Sequence, residues 1–274
     1  MSQVSNNLIG VFDSGLGGLS VLKKFLSEPP GYHYIYLGDT ARVPYGDKSP
    51  EIIYSYTIQA VDFLFKQNCH LVIIACNSAS CQALRRLQQE WLPLHYPDRR
   101  VLGVIKPLAE AAANNKINKK IGIIGTNATI SSGSYTNEIK ELNPKLKVYE
   151  QAAPLLVPLI EAGRLNNPET KLILKSYLAP LKNKKIDSLI LACTHYPYLK
   201  KEMQKIMGSQ VKIPDTGKII ALSLKKYLSR HPELKIVKAK NSCDFYTTDS
   251  PKVFKGLAEK FLGNKIKLIK QIKL

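Results

Sequence analysis

The chain has no apolar run near the roughly 18 residues that a membrane span needs, and it is poor in acids, with 21 Asp and Glu against 40 Lys and Arg. The first absence predicts a soluble protein with no membrane partner. The second leaves a formal charge of +19, which permits attraction to nucleic acid, an anionic surface or acidic metabolites. The lysines form no basic tail. Near the end, Lys265, Lys267 and Lys270 alternate with Ile266, Leu268, Ile269 and Ile272, as on a solvated strand or helix face. Cysteine is sparse as well: five in 274 residues make no disulfide framework. The opening MSQVSNNL lacks the layout of a signal peptide, so a cytoplasmic location is expected. Nucleotide signatures are also missing. No G-K-[ST] is present, and in IGVFDSGLGGLS the residue Ser20 stands where a dinucleotide fingerprint has its third glycine. No metal is expected. Cys69, Cys76 and Cys81 lack paired short spacings, and Cys193 and His195 are too close in sequence to chelate one ion comfortably.

What is present is an alternation of strand and helix signals. Apolar runs at residues 8–12, 32–37, 71–75, 101–105, 120–125 and 188–192, with another near 148, read as strands. Helical spacing fills the intervals: up to Phe25, then 51–67, 79–91, 108–114, 131–142, 168–182 and 199–207. Ser49 and Pro50 are suited to N-cap and first helical position. Pro93 and Pro97 are expected to break the chain, after which the pattern restarts. Residues 211–274 read as two further strand-and-helix units. Such alternation predicts an α/β fold with mainly parallel sheets. The order of signals repeats, since the interval from Asp13 to Cys76 is 63 residues and that from Gly125 to Cys193 is 68. Two similar α/β/α domains are therefore expected, with an active site in the cleft between them. The first would hold residues 1–98 plus 210–274, the C-terminal segment returning to it; the second would hold 99–209.

Two stretches stand out in that repeat, LVIIACNSAS and SLILACTHYP. Each carries a cysteine just past a buried-looking strand, where open α/β sheets place ligands. Either cysteine alone would pass as an ordinary buried thiol; two in matched contexts suggest a pair of proton-transfer groups facing one substrate. A thiol's reference pKa of about 8.5 can be tuned toward proton abstraction at carbon, and His195 stands two residues past Cys193. A Cys-His hydrolase would not need the second cysteine. Cys69, Cys81 and Cys243 read as small buried or incidental thiols. The glycines after Asp13 and Ser14 allow a tight turn whose amides would suit an anionic group.

The chain resembles the glutamate racemases of the aspartate/glutamate racemase family through IGVFDSGLGGLSVL, YLGDTARVPYGDKS, VIIACNSAS, KIGIIGTNATI, VPLIEAG and LACTHYP. The resemblance implies two α/β domains around the active site, a homodimer as a common state, and interconversion of L- and D-glutamate without a cofactor. The D-glutamate would serve peptidoglycan synthesis, and through it the cell wall and cell shape. By position, Cys76 and Cys193 match the two proton-transfer residues. Asp13 and Ser14, Tyr45 and Gly46, Asn77 and Ser78, and Thr194 and His195 match the substrate-binding pairs. Asp13, His195 and Glu161 match groups that assist the thiols.

This chain departs from the family pattern at Ser78, where Thr is usual, at Ala192 for Gly, at Ala153 for Cys, at Lys106 and Leu108, and at Thr216-Gly217 for Ser-Ala. None of these removes a proton-transfer group. Two other readings are carried: an aspartate or broad-specificity amino-acid racemase, and a non-catalytic nucleic-acid- or gyrase-binding protein suggested by the charge.

Overall fold

The computed structural model describes residues 8–28 and 30–274. The reading of the first residues as lacking a signal peptide falls outside them.

Among the described residues nine strands form two sheets in which the pairings are parallel. The first contains β1 (Leu8–Asp13), β2 (His33–Gly38), β3 (Cys69–Ile74), β4 (Arg100–Gly103), β8 (Ser242–Thr247) and β9 (Ile269–Gln271), in the order β4-β3-β1-β2-β8-β9. The second contains β5 (Lys120–Gly125), β6 (Lys147–Ala152) and β7 (Ser188–Ala192), in the order β6-β5-β7. Strands β1, β3, β5 and β7 are buried along nearly their whole length. Continuous apolar runs such as IGVF and ILA are what a sheet covered on both faces requires. The repeat read from the sequence has a structural counterpart: β1 lies between β2 and β3 as β5 lies between β6 and β7. The thiol-bearing strands β3 and β7 thus occupy equivalent places.

Eleven helical segments matter for the site: α1 (Leu19–Ser27), α2 (Pro50–Lys66), α3 (Asn77–Gln82), α4 (Ile105–Ala113), α5 (Asn127–Ser131), α6 (Ser134–Leu142), α7 (Leu156–Glu161), α8 (Pro168–Asn183), α9 (Lys200–Met207), α10 (Thr216–Arg230) and α11 (Pro251–Leu262). Ser49 caps α2 as expected, accepting from the Ile52 amide at 3.4 Å with Pro50 in the first turn. Among the described residues no helix is long and apolar enough to cross a membrane.

Four expectations change. The strand at residues 101–105 does not open the second domain: β4 pairs with β3 from Leu71↔Arg100 to Ile74↔Gly103 and extends the first sheet. Residue Lys212, assigned to the first domain, bridges to Ser188 at the foot of the second sheet. Pro93 does not break the chain, because α3 continues through a wide turn at Leu87–Trp91 into a last turn, Leu92–His95; a wide turn absorbs the missing amide. The helix expected over 131–142 begins later, as α6 at Ser134, with Gly133 at φ 62° parting it from α5. The lysine-alternating end resolves as the edge strand β9, with Ile269 buried and Lys270 exposed.

Candidate active site

The end of β1 delivers Asp13 and Ser14. Asp13 is fully buried. One carboxylate oxygen accepts from the Gly15 amide at 3.0 Å, the other from the Thr194 hydroxyl at 3.0 Å. Burial raises its pKa above the ordinary carboxylate range, although the charge on His195 and hydrogen bonds from Gly18, Gly15 and Thr194 pull the other way. The amides of the glycine turn therefore serve Asp13 itself, not an external anion as the sequence suggested. The glycines are needed for closeness: a Cβ on Gly17 would lie 2.3 Å from Thr194 Oγ1 and 2.4 Å from His195 Nδ1.

Cys76 follows β3 at the start of α3, and its thiol donates to Ser14 Oγ at 3.4 Å. Burial first, and the Asp13 carboxylate second, push this thiol up to about 12, so it rests protonated. Burial likewise pushes Cys69 to about 12 and Cys81 to about 11. A raised pKa alone thus does not distinguish Cys76; its place on a cavity does. The next residues are held from the second sheet's side. Asn77 Oδ1 accepts from the Tyr135 hydroxyl at 2.6 Å, and the Ser78 and Thr126 hydroxyls share a hydrogen bond of 2.8 Å. The missing methyl at Ser78 leaves that link in place.

Cys193 follows β7, with its sulfur 3.8 Å from His195 Nδ1. The other ring nitrogen lies 2.9 Å from Glu161 Oε1, at the end of α7. Burial lowers the His195 pKa, but Cys193 and Glu161 outweigh it through hydrogen bonds and charge, raising it to about 10. The imidazole is therefore held as imidazolium at neutral pH. Tyr196 secures the same loop from beneath, its hydroxyl donating to the carbonyls of Gly125 at 3.1 Å and Ala153 at 2.8 Å.

Tyr45 and Gly46 sit on the turn after β2. The Tyr45 hydroxyl donates to Asp39, whose carboxylate also accepts from Arg42 Nε at 2.7 Å and the Thr248 hydroxyl at 2.8 Å. With the phenol so engaged, Tyr45 shapes the wall more than it offers a free side-chain donor. A Cβ on Gly46 would come within 2.7 Å of Thr126 Cβ, so the two halves touch closely here.

These segments enclose one cavity. It is lined by Ser14, Tyr45, Gly46, Cys76, Asn77, Ser78, Cys193, Thr194 and His195, together with Val43, Pro44, Thr126 and Val157. Asp13 and Glu161 are not on its wall; they stand behind Thr194 and His195. The last four lining residues were missed by sequence reasoning. Thr126 had a signal, since it follows β5 as Ser14 follows β1. The cavity measures ≈ 20 Å³, space on the scale of one water molecule. Among the described residues no three His, Cys, Asp or Glu side chains are grouped to hold a metal.

A larger hollow of ≈ 440 Å³ lies beside the foot of β7, among Lys182, Lys185 and Lys212. It borders the C-terminal ends of α8 and α9, where lysines offset helix dipoles.

Residues 17–224 match the family described as Asp/Glu/hydantoin racemase. The chain is 41% identical to the glutamate racemase of Chlorobaculum parvum over 258 residues, 94% of this chain and 93% of that one. Among solved structures it matches glutamate racemase isoform RacE1 from Bacillus anthracis with a TM-score of 0.91 at 34% identity, covering 98% of both chains. It matches the Francisella tularensis glutamate racemase in complex with D-glutamate with a TM-score of 0.88 at 34% identity, again over 98% of both.

Proposed function

The chain belongs to the Asp/Glu/hydantoin racemase family, and from that premise we propose that it interconverts L- and D-glutamate by a two-thiol proton transfer needing no cofactor. It is an isomerase, and its relatives of nearly equal length are glutamate racemases. The observation that carries the mechanism is that Cys76 and Cys193, from equivalent strand ends of the two sheets, line one small cavity.

One sulfur takes the α-proton as a thiolate while the other, as a thiol, returns a proton to the opposite face. The roles exchange with direction, so both bases are needed. Cys76, kept protonated by burial and by Asp13, is suited to be the donor in one direction. The His195 imidazolium, 3.8 Å from Cys193, is suited to steady negative charge on that sulfur and to exchange protons with it. Glu161 holds the imidazolium and Asp13 holds Thr194, so both assist the reacting groups from behind. The carbanionic state draws charge toward the α-carboxylate, where Asn77, Ser78 and Thr194 supply polar groups in a site that excludes water as it closes.

On this reading the product feeds peptidoglycan synthesis, and the thiols work in a reducing cytoplasm; all five cysteines are free. The test is racemisation of glutamate and aspartate side by side, followed by circular dichroism with no added cofactor. Loss of signal with glutamate and little change with aspartate is expected. Faster loss with aspartate would give the site a different substrate.

A further inference from the structure

We propose that Ser20 is a positioning residue for the Cys193 side of the cavity. The proposal rests on the two-thiol reading and extends it to a residue outside the cavity wall.

A serine in the first turn of a helix usually bonds its own segment's backbone. Ser20 instead sends its hydroxyl to the carbonyl of Thr194, 2.8 Å away and 174 residues along the chain. Thr194 is thereby gripped at two points by the β1–α1 segment of the first sheet: Asp13 takes its hydroxyl and Ser20 its carbonyl. That carbonyl belongs to the peptide joining Thr194 to His195. Fixing it fixes the plane from which the imidazole reaches back toward Cys193.

Two glycines let α1 come this close. Gly17 has no room for a Cβ beneath Thr194 and His195. Gly217, at the start of α10, has none either, since a Cβ there would stand 2.9 Å from the Ser20 carbonyl and 2.8 Å from Lys24 Cγ. Helix α1 is thus pressed between α10 and the loop that carries the second thiol. Ser14 lies at the other sulfur, Cys76. One short segment, DSGLGGLS, therefore serves both thiols, with Ser14 at the first and Ser20 behind the second.

L- and D-glutamate are mirror images, so their equilibrium constant is one and kcat/KM must fall equally in both directions for any variant. Isotope effects escape that constraint, because each thiol abstracts the proton of one enantiomer. The test measures kcat, KM and the primary deuterium isotope effect with 2-deuterated L- and D-glutamate for Ser20→Ala and Ser14→Ala. Losing one partly buried hydrogen bond corresponds to about a three- to tenfold fall in kcat/KM. Ser20→Ala is expected to show it with the isotope effect raised for one enantiomer, and Ser14→Ala to raise it for the other. Ser20→Thr, which keeps the donor, returns both values toward wild type. If Ser20→Ala is insoluble, Ser20→Cys, a weaker donor, is expected to give the same one-sided change in smaller measure. Unchanged kinetics, an equal rise for both enantiomers, or a rise on the side affected by Ser14→Ala would overturn the assignment. Cys193→Ala is run alongside: if it still racemises glutamate, the two-thiol reading fails whatever Ser20→Ala shows.

Discussion

Cys76 and Cys193, the two thiols proposed to share the proton transfer, sit amid different neighbours. The first meets a neutral hydroxyl and a buried carboxylate, the second an imidazolium backed by Glu161. The His195 pair has a consequence for pH. The folded-state pKa of about 10 exceeds the ordinary 6.5, so its contribution to stability is complete below about pH 6.5 and is lost as pH rises through about 10. Glu161→Gln removes one cause of that rise. Thermal melts across pH 6 to 10 are expected to show a smaller loss of stability on the alkaline side for the variant than for wild type. The alkaline limb of its activity profile is expected at lower pH. Gly17→Ala belongs to the same scale. A methyl 2.3 Å from Thr194 Oγ1 must displace that loop, and activity is expected to fall about a hundredfold or more, as small misplacements of reacting groups do. Much of this scale was legible. The paired Ala-Cys stretches and the motifs around them named most of the cavity wall. Val157 was not named, because its membership depends on where α7 comes to rest, which no local pattern states.

Among the elements, α5 and α6 brace the first thiol's neighbours from across the cleft. Tyr135 on α6 donates to Asn77 Oδ1, which fixes the amide of a residue on the cavity wall. Tyr135→Phe frees the amide to rotate. The expected result is KM for glutamate raised about five- to tenfold, from one lost hydrogen bond, with kcat less affected, read from initial rates of racemisation. At this scale the sequence was a fair guide to the kind of element and a poorer one to its partners. Residues 101–105 have the right composition for a strand, but pairing is set by a neighbour about thirty residues back, β3, and composition does not encode it. Pro93 misled for another reason: a wide turn before it removes the conflict that a proline creates in a regular helix.

At the scale of the molecule, the two sheets meet around a cavity with room for about one water. Hydrogen bonds also join residues that neighbour its lining, from Asn127 to Asp47 at 2.8 Å and from Gln82 to the Ala128 carbonyl at 2.7 Å. Substrate entry is expected to loosen such contacts. Asn127→Ala is expected to leave the chemistry intact and weaken closure, with KM raised a few-fold and solvent viscosity affecting kcat less than in wild type. The interval repeat in the sequence anticipated two matching units; the return of the C-terminal strands β8 and β9 beside β2 followed only from counting strands. The net charge of +19 has no counterpart in the cavity.

The central claim is that each thiol serves one face of the substrate. The most direct measurement follows α-hydrogen washout and inversion of L- and D-glutamate in deuterated water by proton NMR, for wild type, Cys76→Ala and Cys193→Ala. Wild type is expected to invert both enantiomers and incorporate deuterium at the α-carbon. Neither variant is expected to invert, and any residual washout should affect opposite enantiomers in the two. Inversion by either variant at a rate near wild type, or washout of the same enantiomer by both, would contradict the account.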